Sequence, residues 1–104
     1  MYIYTVMTTD RNDYDMTFEQ RKVGAFYDKS KAIQRAKETF EEIKKEYAKE
    51  MEEYSYPSDE PGALWVEEDD KYGYYCISYG EDDTYESHLV CVEDWFMEDA
   101  HDQN

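Results

Sequence analysis

The fold is decided by residues 28–54, DKSKAIQRAKETFEEIKKEYAKEMEEY, which carry the most regular apolar pattern in the chain. Apolar residues recur there at spacings of three or four, which places them on one face of a helix. They are Ile33, Ala36, Phe40, Ile43, Tyr47, Met51 and Tyr54. Asp28 is a suitable N-cap, since its side chain can accept the first free backbone N–H groups. The stretch predicts one long helix of about 26 residues with an apolar face that packs against another layer.

Two strands are predicted before this helix. Residues 2–8 and residues 20–27 are rich in aromatic and β-branched side chains, which favour strands. Between them, residues 10–15 are polar and typical of a turn or loop. The chain is therefore expected to open with an antiparallel hairpin that has a long loop.

Three strands are predicted after the helix, which Pro57, Pro61 and Gly62 bring to an end. These strands cover residues 63–67, 72–79 and 84–93, with acidic turns at residues 68–71 and 80–83. Alternation places Tyr75, Ile77 and Tyr79 on one face of the sheet, and Tyr74, Cys76 and Ser78 on the other.

The last part of the chain is treated as a short C-terminal segment. Residues 93–99 form an aromatic cluster bracketed by acids, and a polar tail follows from about residue 99. Its Trp95-Phe96-Met97 core is expected to act either as a lid over the hydrophobic core or as a docking segment. The whole chain, residues 1–104, then forms a single small α+β domain: a two-layer fold of order ββαβββ, with an antiparallel sheet packed on one long helix.

The charge is unevenly distributed along the chain. The sequence has 27 acidic and 11 basic residues, for a net charge of −16, and residues 51–104 carry 17 of the acids against Lys71 alone. Phosphates would be repelled by such a surface, which argues against direct binding of nucleic acid or an anionic membrane. The pattern predicts a basic protein surface as the partner.

The remaining bulk features predict a cytoplasmic protein. No apolar run approaches the length of a membrane span, and the first ten residues do not resemble a secretion signal. Cys76 and Cys91 are expected within two residues of facing each other across a turn, so reduced thiols and a disulfide are both open.

Motifs for chemistry were tested in turn, and none predicts a catalytic residue, a cofactor or a metal site. The acidic loop after Asp10 lacks the glycine and glutamate of a calcium-binding EF-hand, and no C-x-x-C pair supports zinc. Gly24, Gly62, Gly73 and Gly80 never cluster as a phosphate-binding loop requires. His88 is expected to be a satisfied or solvent-facing residue of a strand, since its spacing to Ser or Cys suggests no triad.

The candidate partner surface is the acidic, tyrosine-rich C-terminal half, because exposed aromatic side chains supply interface area at low entropic cost. Its residues are Glu67, Glu68, Asp69, Asp70, Tyr72, Tyr74, Glu81, Asp82, Asp83, Tyr85 and Trp95.

The run Val23-Gly24-Ala25-Phe26-Tyr27-Asp28-Lys29-Ser30-Lys31-Ala32 follows the predicted hairpin. It resembles the opening of small phage and bacterial domains of unknown function, in which a strand ends in Gly-x-Phe before a capping residue, a lysine and a helix-starting alanine. The resemblance covers residues 1–35 and implies how the fold begins, without implying an activity or a site residue. In acidity, though not in motif, the chain is also similar to phage inhibitors that imitate DNA, including some anti-CRISPR and anti-restriction proteins.

Two functions of different kinds follow from these observations. The first is a non-enzymatic binding protein whose acidic half engages a basic partner. Its most specific version is a DNA mimic that inhibits a nucleic-acid-binding protein. The alternative is a phage or bacterial accessory domain that self-associates, for example as a homodimer, and whose acidity only keeps it soluble. A small enzyme comes third, and it would need a concave pocket that holds His88 together with a carboxylate of shifted pKa.

Overall fold

The computed structural model describes residues 1–13, 15–49, 52, 64–81 and 84–97. Within this part of the chain the protein is α+β, with five strands and one helix in the predicted order ββαβββ. The elements are β1 (Tyr2–Asn12), β2 (Thr17–Phe26), α1 (Lys29–Glu46), β3 (Leu64–Asp69), β4 (Tyr74–Glu81) and β5 (Thr84–Phe96).

The five strands form one antiparallel sheet in the order β2-β1-β5-β4-β3. The predicted hairpin and the predicted meander are both present, and they join where β1 pairs with β5, from Tyr2 opposite Phe96 to Asn12 opposite Glu86. These two strands, from opposite ends of the chain, lie at the centre of the sheet.

Helix α1 begins as the sequence predicts. The carboxylate of Asp28 accepts hydrogen bonds from the backbone N–H groups of Ser30, at 2.8 Å, and Lys31, at 3.4 Å. Ala32, Ala36 and Phe40 of its apolar face are buried against the sheet.

The helix ends earlier than its pattern predicts. It stops at Glu46, and Tyr47 is the C-cap with a φ of −104° and a ψ of 19°, outside helical geometry. Ala48 and Lys49 are again helical, so the interruption is local to Tyr47, whose ring stacks on His88 of β5 at 3.9 Å between ring centroids. Met51 and Tyr54, the last two residues of the predicted apolar face, lie outside the residues that can be described.

The hydrophobic core lies between α1 and one face of the sheet, called here the α1 face. Its sheet residues are Val6 of β1, Val90 of β5 and the predicted trio Tyr75, Ile77 and Tyr79 of β4, all buried. By alternation, Tyr74, Cys76 and Ser78 point to the opposite side, called here the far face. The alternation predicted for this strand is confirmed.

Two boundaries in the first hairpin differ from the prediction. Strand β1 continues to Asn12 and β2 begins at Thr17, so the expected loop at residues 10–15 shrinks to a turn that closes with Met16 at a φ of 53°. Asn12 supports the turn by accepting a hydrogen bond from the Asp15 N–H at 3.1 Å. The added pairing with β5 holds residues 10–12 in the sheet, which local composition could not show.

The prediction of a separate C-terminal segment was wrong for Trp95 and Phe96. Both belong to β5, where Trp95 pairs with Ile3 and Phe96 pairs with Tyr2. Trp95 is 57% exposed and Phe96 is 62% exposed, so neither closes the core as a lid. The polar tail lies outside the described residues.

Candidate functional site

The four acids predicted at the turn between β3 and β4 have different partners. Glu68 lies 3.3 Å from the Nζ of Lys44 in α1, and Asp70 lies 3.3 Å from the Nζ of Lys37. The carboxylates of Glu41 and Glu68 raise the pKa of Lys44. Glu68 and Asp70 therefore tie the sheet to the helix, whereas Glu67 and Asp69 occupy far-face positions of β3.

Asp69 and Asp70 also shape their turn. One oxygen of Asp69 accepts hydrogen bonds from the backbone N–H groups of Lys71, at 3.0 Å, and Tyr72, at 3.2 Å. Asp70 accepts a 2.8 Å hydrogen bond from the Tyr75 hydroxyl, and this bond, with the nearby Lys37 ammonium, lowers the pKa of Asp70. Two of the four predicted contact acids are thus components of a structural turn.

The predicted aromatic residues are distributed over several surfaces. Tyr72 is exposed in the turn with the Lys71 ammonium 5.3 Å from its ring centre, and Tyr85 is half-buried. The Tyr85 backbone exchanges hydrogen bonds with Asp13, which fixes the first hairpin turn to β5. Tyr74 and Trp95 both lie on the far face. Asp82 and Asp83, and the side chain of Glu81, are outside what can be described.

The far face has an apolar middle and an aromatic and acidic margin. Met7, Leu89 and Cys91 lie on the two central strands and are half-buried. Around them are five further residues that the pairing places on the same side: Trp95, Glu93, Tyr74, Glu67 and Trp65. A groove of about 470 Å³ lies between the Trp95 side and the Lys22 side of this face. The structure thus places Glu67, Asp69, Tyr74 and Trp95 of the predicted set on one face. Asp69 and Tyr74 are direct partners, whereas Trp95 lies four residues further along β5 from their row.

The two cysteines lie on the far face as diagonal neighbours. Cys76 is opposite Leu89, while Cys91 is opposite Tyr74, and both thiols are free. Burial raises the pKa of each thiol, with Glu67 adding to the effect at Cys76 and Glu93 at Cys91. Diagonal positions are about 7–8 Å apart, more than a relaxed disulfide spans. Both cysteines are packing residues of this face.

A polar cluster on the α1 face was missed by the sequence analysis. His88 is 2% exposed, and its Nδ1 lies 2.6 Å from an oxygen of Asp10, the residue opposite it on β1. Its Nε2 lies 3.5 Å from Glu86 Oε1, and the other oxygen of Glu86 accepts a 2.7 Å hydrogen bond from the Tyr79 hydroxyl. Tyr47 stacks on the imidazole from the helix side.

Two adjoining cavities surround this cluster at the C-terminal end of α1. One, of about 230 Å³, is lined by His88, Glu86 and Asp10, and the other, of about 310 Å³, is lined by Thr8, Asp10 and the helix. Asp10 and Tyr47 border both. We call this pair of cavities the His88 cleft. Among the described residues, no group of three or more His, Cys, Asp or Glu side chains is arranged to hold a metal ion.

The pairing of β1 with β5 explains why the cluster was missed. Asp10 and His88 are 78 residues apart in sequence. Because residues 10–15 are predicted to form a loop, Asp10 is not expected in the sheet. The one local signal was that Glu86 and His88 share a face of a strand, since they are two residues apart.

No family model, curated protein or solved structure matches this chain. No helix in the described part of the chain is long and apolar enough to cross a membrane. The function therefore has to be inferred from the surfaces of the protein.

Proposed function

We propose that the chain is a non-enzymatic protein-binding domain and that the far face of its sheet is the interface. The proposal treats the fold as two layers, with the helix on the α1 face and, among the described residues, no further element on the far face. The observation that carries it is the composition of that face: half-buried apolar residues in the middle, with exposed Trp65 and Trp95 at its margin. Protein interfaces have this anatomy, an apolar centre with aromatic anchors inside a polar rim.

The size of the far face supports a specific complex. Five strands spaced about 4.8 Å apart and paired over some seven residues make a surface of about 600 Å². A standard interface buries about 800 Å² on each partner. The far face is therefore of the right order for a stable partner, even before neighbouring loops contribute.

The charge of the far face favours a basic partner. Glu67, Asp69 and Glu93 occupy its β3 and β5 positions. The basic residues at its strand positions are Lys22 of β2 and Arg11 at the end of β1, and Arg11 is already paired with Asp13 at 2.8 Å. Nucleic-acid-binding proteins are the partner class that this chemistry fits best, because their basic surfaces are built to neutralise phosphates. Glu68 and Asp70 are paired with lysines of the helix. If the protein imitates DNA, fewer carboxylates are therefore available to imitate phosphates than the sequence count suggests. The free thiols of Cys76 and Cys91 suit a reducing environment, and we therefore include a cytoplasmic location in the same proposal.

Capture from a bacterial lysate tests this proposal, with two adjacent aromatic residues as a matched pair. Trp95 lies on the far face and Phe96 on the opposite face, with similar exposure. We expect the wild-type protein and Phe96→Ala to retain the same basic protein at low salt, to lose it at high salt, and to lose it when DNA competes. Trp95→Ala should retain at least tenfold less, since interface anchors contribute about 2 kcal/mol or more. Equal retention by both variants, or capture of generic basic proteins only, would overturn the proposal.

Self-association is a second candidate, favoured by one row of residues across the sheet. Lys22, Met7, Cys91, Tyr74 and Asp69 are successive partners from β2 to β3, so the row has a cation at one end and an anion at the other. A second copy turned about an axis parallel to the strands would place Lys22 of one protomer over Asp69 of its partner. Light scattering after size-exclusion chromatography distinguishes the candidates: twice the 12.6 kDa chain mass supports self-association, provided that Lys22→Glu restores the monomer.

A further inference from the structure

The strongest unassigned feature is the His88 cleft, on the side of the sheet opposite the proposed interface. At its floor, Nδ1 of His88 lies 2.6 Å from Asp10, and a carboxylate in that position fixes which nitrogen carries the proton. In a neutral imidazole with Nδ1–H donating to Asp10, Nε2 has only a lone pair to offer.

That lone pair has no donor opposite it. Within the described part of the chain, Nε2 of His88 is buried and makes no hydrogen bond, although Glu86 Oε1 lies 3.5 Å away. Two acceptors that face each other in a buried site are unfavourable unless a hydrogen-bond donor lies between them or the ring takes a second proton. The geometry therefore requires either a donor from a bound molecule or a proton on Nε2 itself.

A second buried polar atom without a partner belongs to a residue that lines the adjoining cavity, and as a hydroxyl it can accept or donate. Oγ1 of Thr8, on the strand next to His88, is also without a hydrogen-bond partner among the described residues. Asp10, two residues from Thr8 on β1 and opposite His88, borders both cavities. A ligand with donors at two points could satisfy both atoms.

The charge of the cleft favours a cation. Five acidic residues line the two cavities against three basic ones. Arg21 lies 3.9 Å from Asp10 and 3.6 Å from Glu19, so Glu86 is the acid beside His88 that this arginine does not pair. The acids are Asp10, Glu19, Glu42, Glu46 and Glu86. The Tyr47 ring, which borders both cavities, offers a further surface that attracts cations.

We propose that the His88 cleft binds a small organic cation with N–H donors, an alkylammonium ion whose ammonium group donates to both His88 Nε2 and Glu86 from the cavity side. The 230 Å³ cavity holds about seven waters at about 30 Å³ each, so it suits an amine of a few carbons. A second ammonium group would reach the cavity lined by Thr8, which makes a short diamine the fitting class. This site is independent of the far-face interface, and either can fail without the other.

Titration with 1,4-diaminobutane tests the site, with the ring nitrogens of 15N-labelled histidine as the reporter. We expect saturable binding, with Nε2 of His88 giving the resonance of an unprotonated nitrogen in the free protein and shifting as the amine binds. Tetramethylammonium has charge without N–H donors, and 1,4-butanediol has donors without charge. Neither should produce the shift. A proton already present on Nε2 in the free protein, or an equal response to tetramethylammonium, would overturn the proposal.

Glu86→Gln separates ligand binding from folding. The amide preserves the side chain's shape and can itself donate to His88 Nε2, so the fold should be kept while diamine binding weakens by about tenfold or more. Asp94→Asn removes one charge elsewhere on the same strand and should leave binding within about twofold of wild type. Equal weakening of diamine binding in both variants would show that the affinity depends only on net charge, and it would refute a site at His88.

Discussion

Gly73 is the residue whose identity is most strictly required by local geometry. It adopts a φ of +70° in the turn before β4, and a Cβ atom there would lie 2.7 Å from Val92 Cγ2 and 3.0 Å from Ile33 Cγ1. We therefore expect Gly73→Ala to lower the free energy of unfolding by about 1–3 kcal/mol in urea denaturation. Gly24→Ala is the control, since its new Cβ meets only the Phe26 ring, at 3.2 Å, and no positive φ is involved. Similar losses in both variants would contradict this account.

Asp70 is expected to stabilise the folded state in a pH-dependent way. Its pKa is lowered from 3.8 by the Tyr75 hydroxyl and then by Lys37, so the folded state favours its ionised form. The stabilisation is therefore fully present above pH 3.8 and is lost as the pH falls through the lower folded-state value. Asp70→Asn should be less stable than wild type at neutral pH, with the gap closing in acid.

Urea unfolding across the acid range measures this gap, with Asp94→Asn as a charge-matched control. A gap for Asp70→Asn that stays constant as the pH falls would show that the carboxylate contributes nothing through its ionisation.

The elements themselves were largely predictable where their signals are local. Asp28 and the spacing of Ala36 and Phe40 place the start and the buried face of α1, although the buried residue of its first turn is Ala32 and the predicted Ile33 is half-buried. Alternation assigns the faces of β4. The pairing of β1 with β5 was beyond such reasoning because its partners lie far apart in the chain, and no local pattern specifies which strands become central. For the same reason the sequence could not show that Glu68 and Asp70 pair with lysines of α1, because those ion pairs depend on where α1 crosses the sheet.

The N-cap gives a direct test at the scale of an element. Asp28→Ala leaves the first N–H groups of α1 without their acceptor, and we expect a loss of about 1 kcal/mol in the free energy of unfolding. Asp28→Ser restores a capping oxygen and should recover most of the loss. A helix that tolerates alanine without any loss would mean that packing alone fixes where it begins.

At the scale of the whole molecule, the excess of negative charge should dominate the response to salt. With a net charge of −16, repulsion among like charges outweighs exposed pairs such as Lys37–Asp70, which contribute little individually. We expect the thermal unfolding midpoint to rise as NaCl is increased from about 0.02 M to about 0.5 M, since the screening length shortens over that range. A falling midpoint would show that ion pairs outweigh the repulsion.

The candidate surface was partly predictable at this scale. The sequence identifies the acids and aromatic residues of the C-terminal half, and four of the predicted contact residues share the far face: Glu67, Asp69, Tyr74 and Trp95. It could not show that Met7 and Ile3 of β1 complete that face, because they come from the half of the chain with no net charge. The surface is a property of the assembled sheet and not of the acidic segment.

The central claim is that a basic partner binds the far face, and the most direct test compares Glu93→Lys with Asp94→Lys. These neighbours on β5 lie opposite Thr5 and Tyr4, so they point to different faces while changing the net charge equally. With the captured partner in a calorimetric titration, the account predicts that Glu93→Lys weakens binding by tenfold or more, whereas Asp94→Lys changes it by less than about threefold. Equal weakening by the two variants would show that only net charge matters and would contradict a far-face interface.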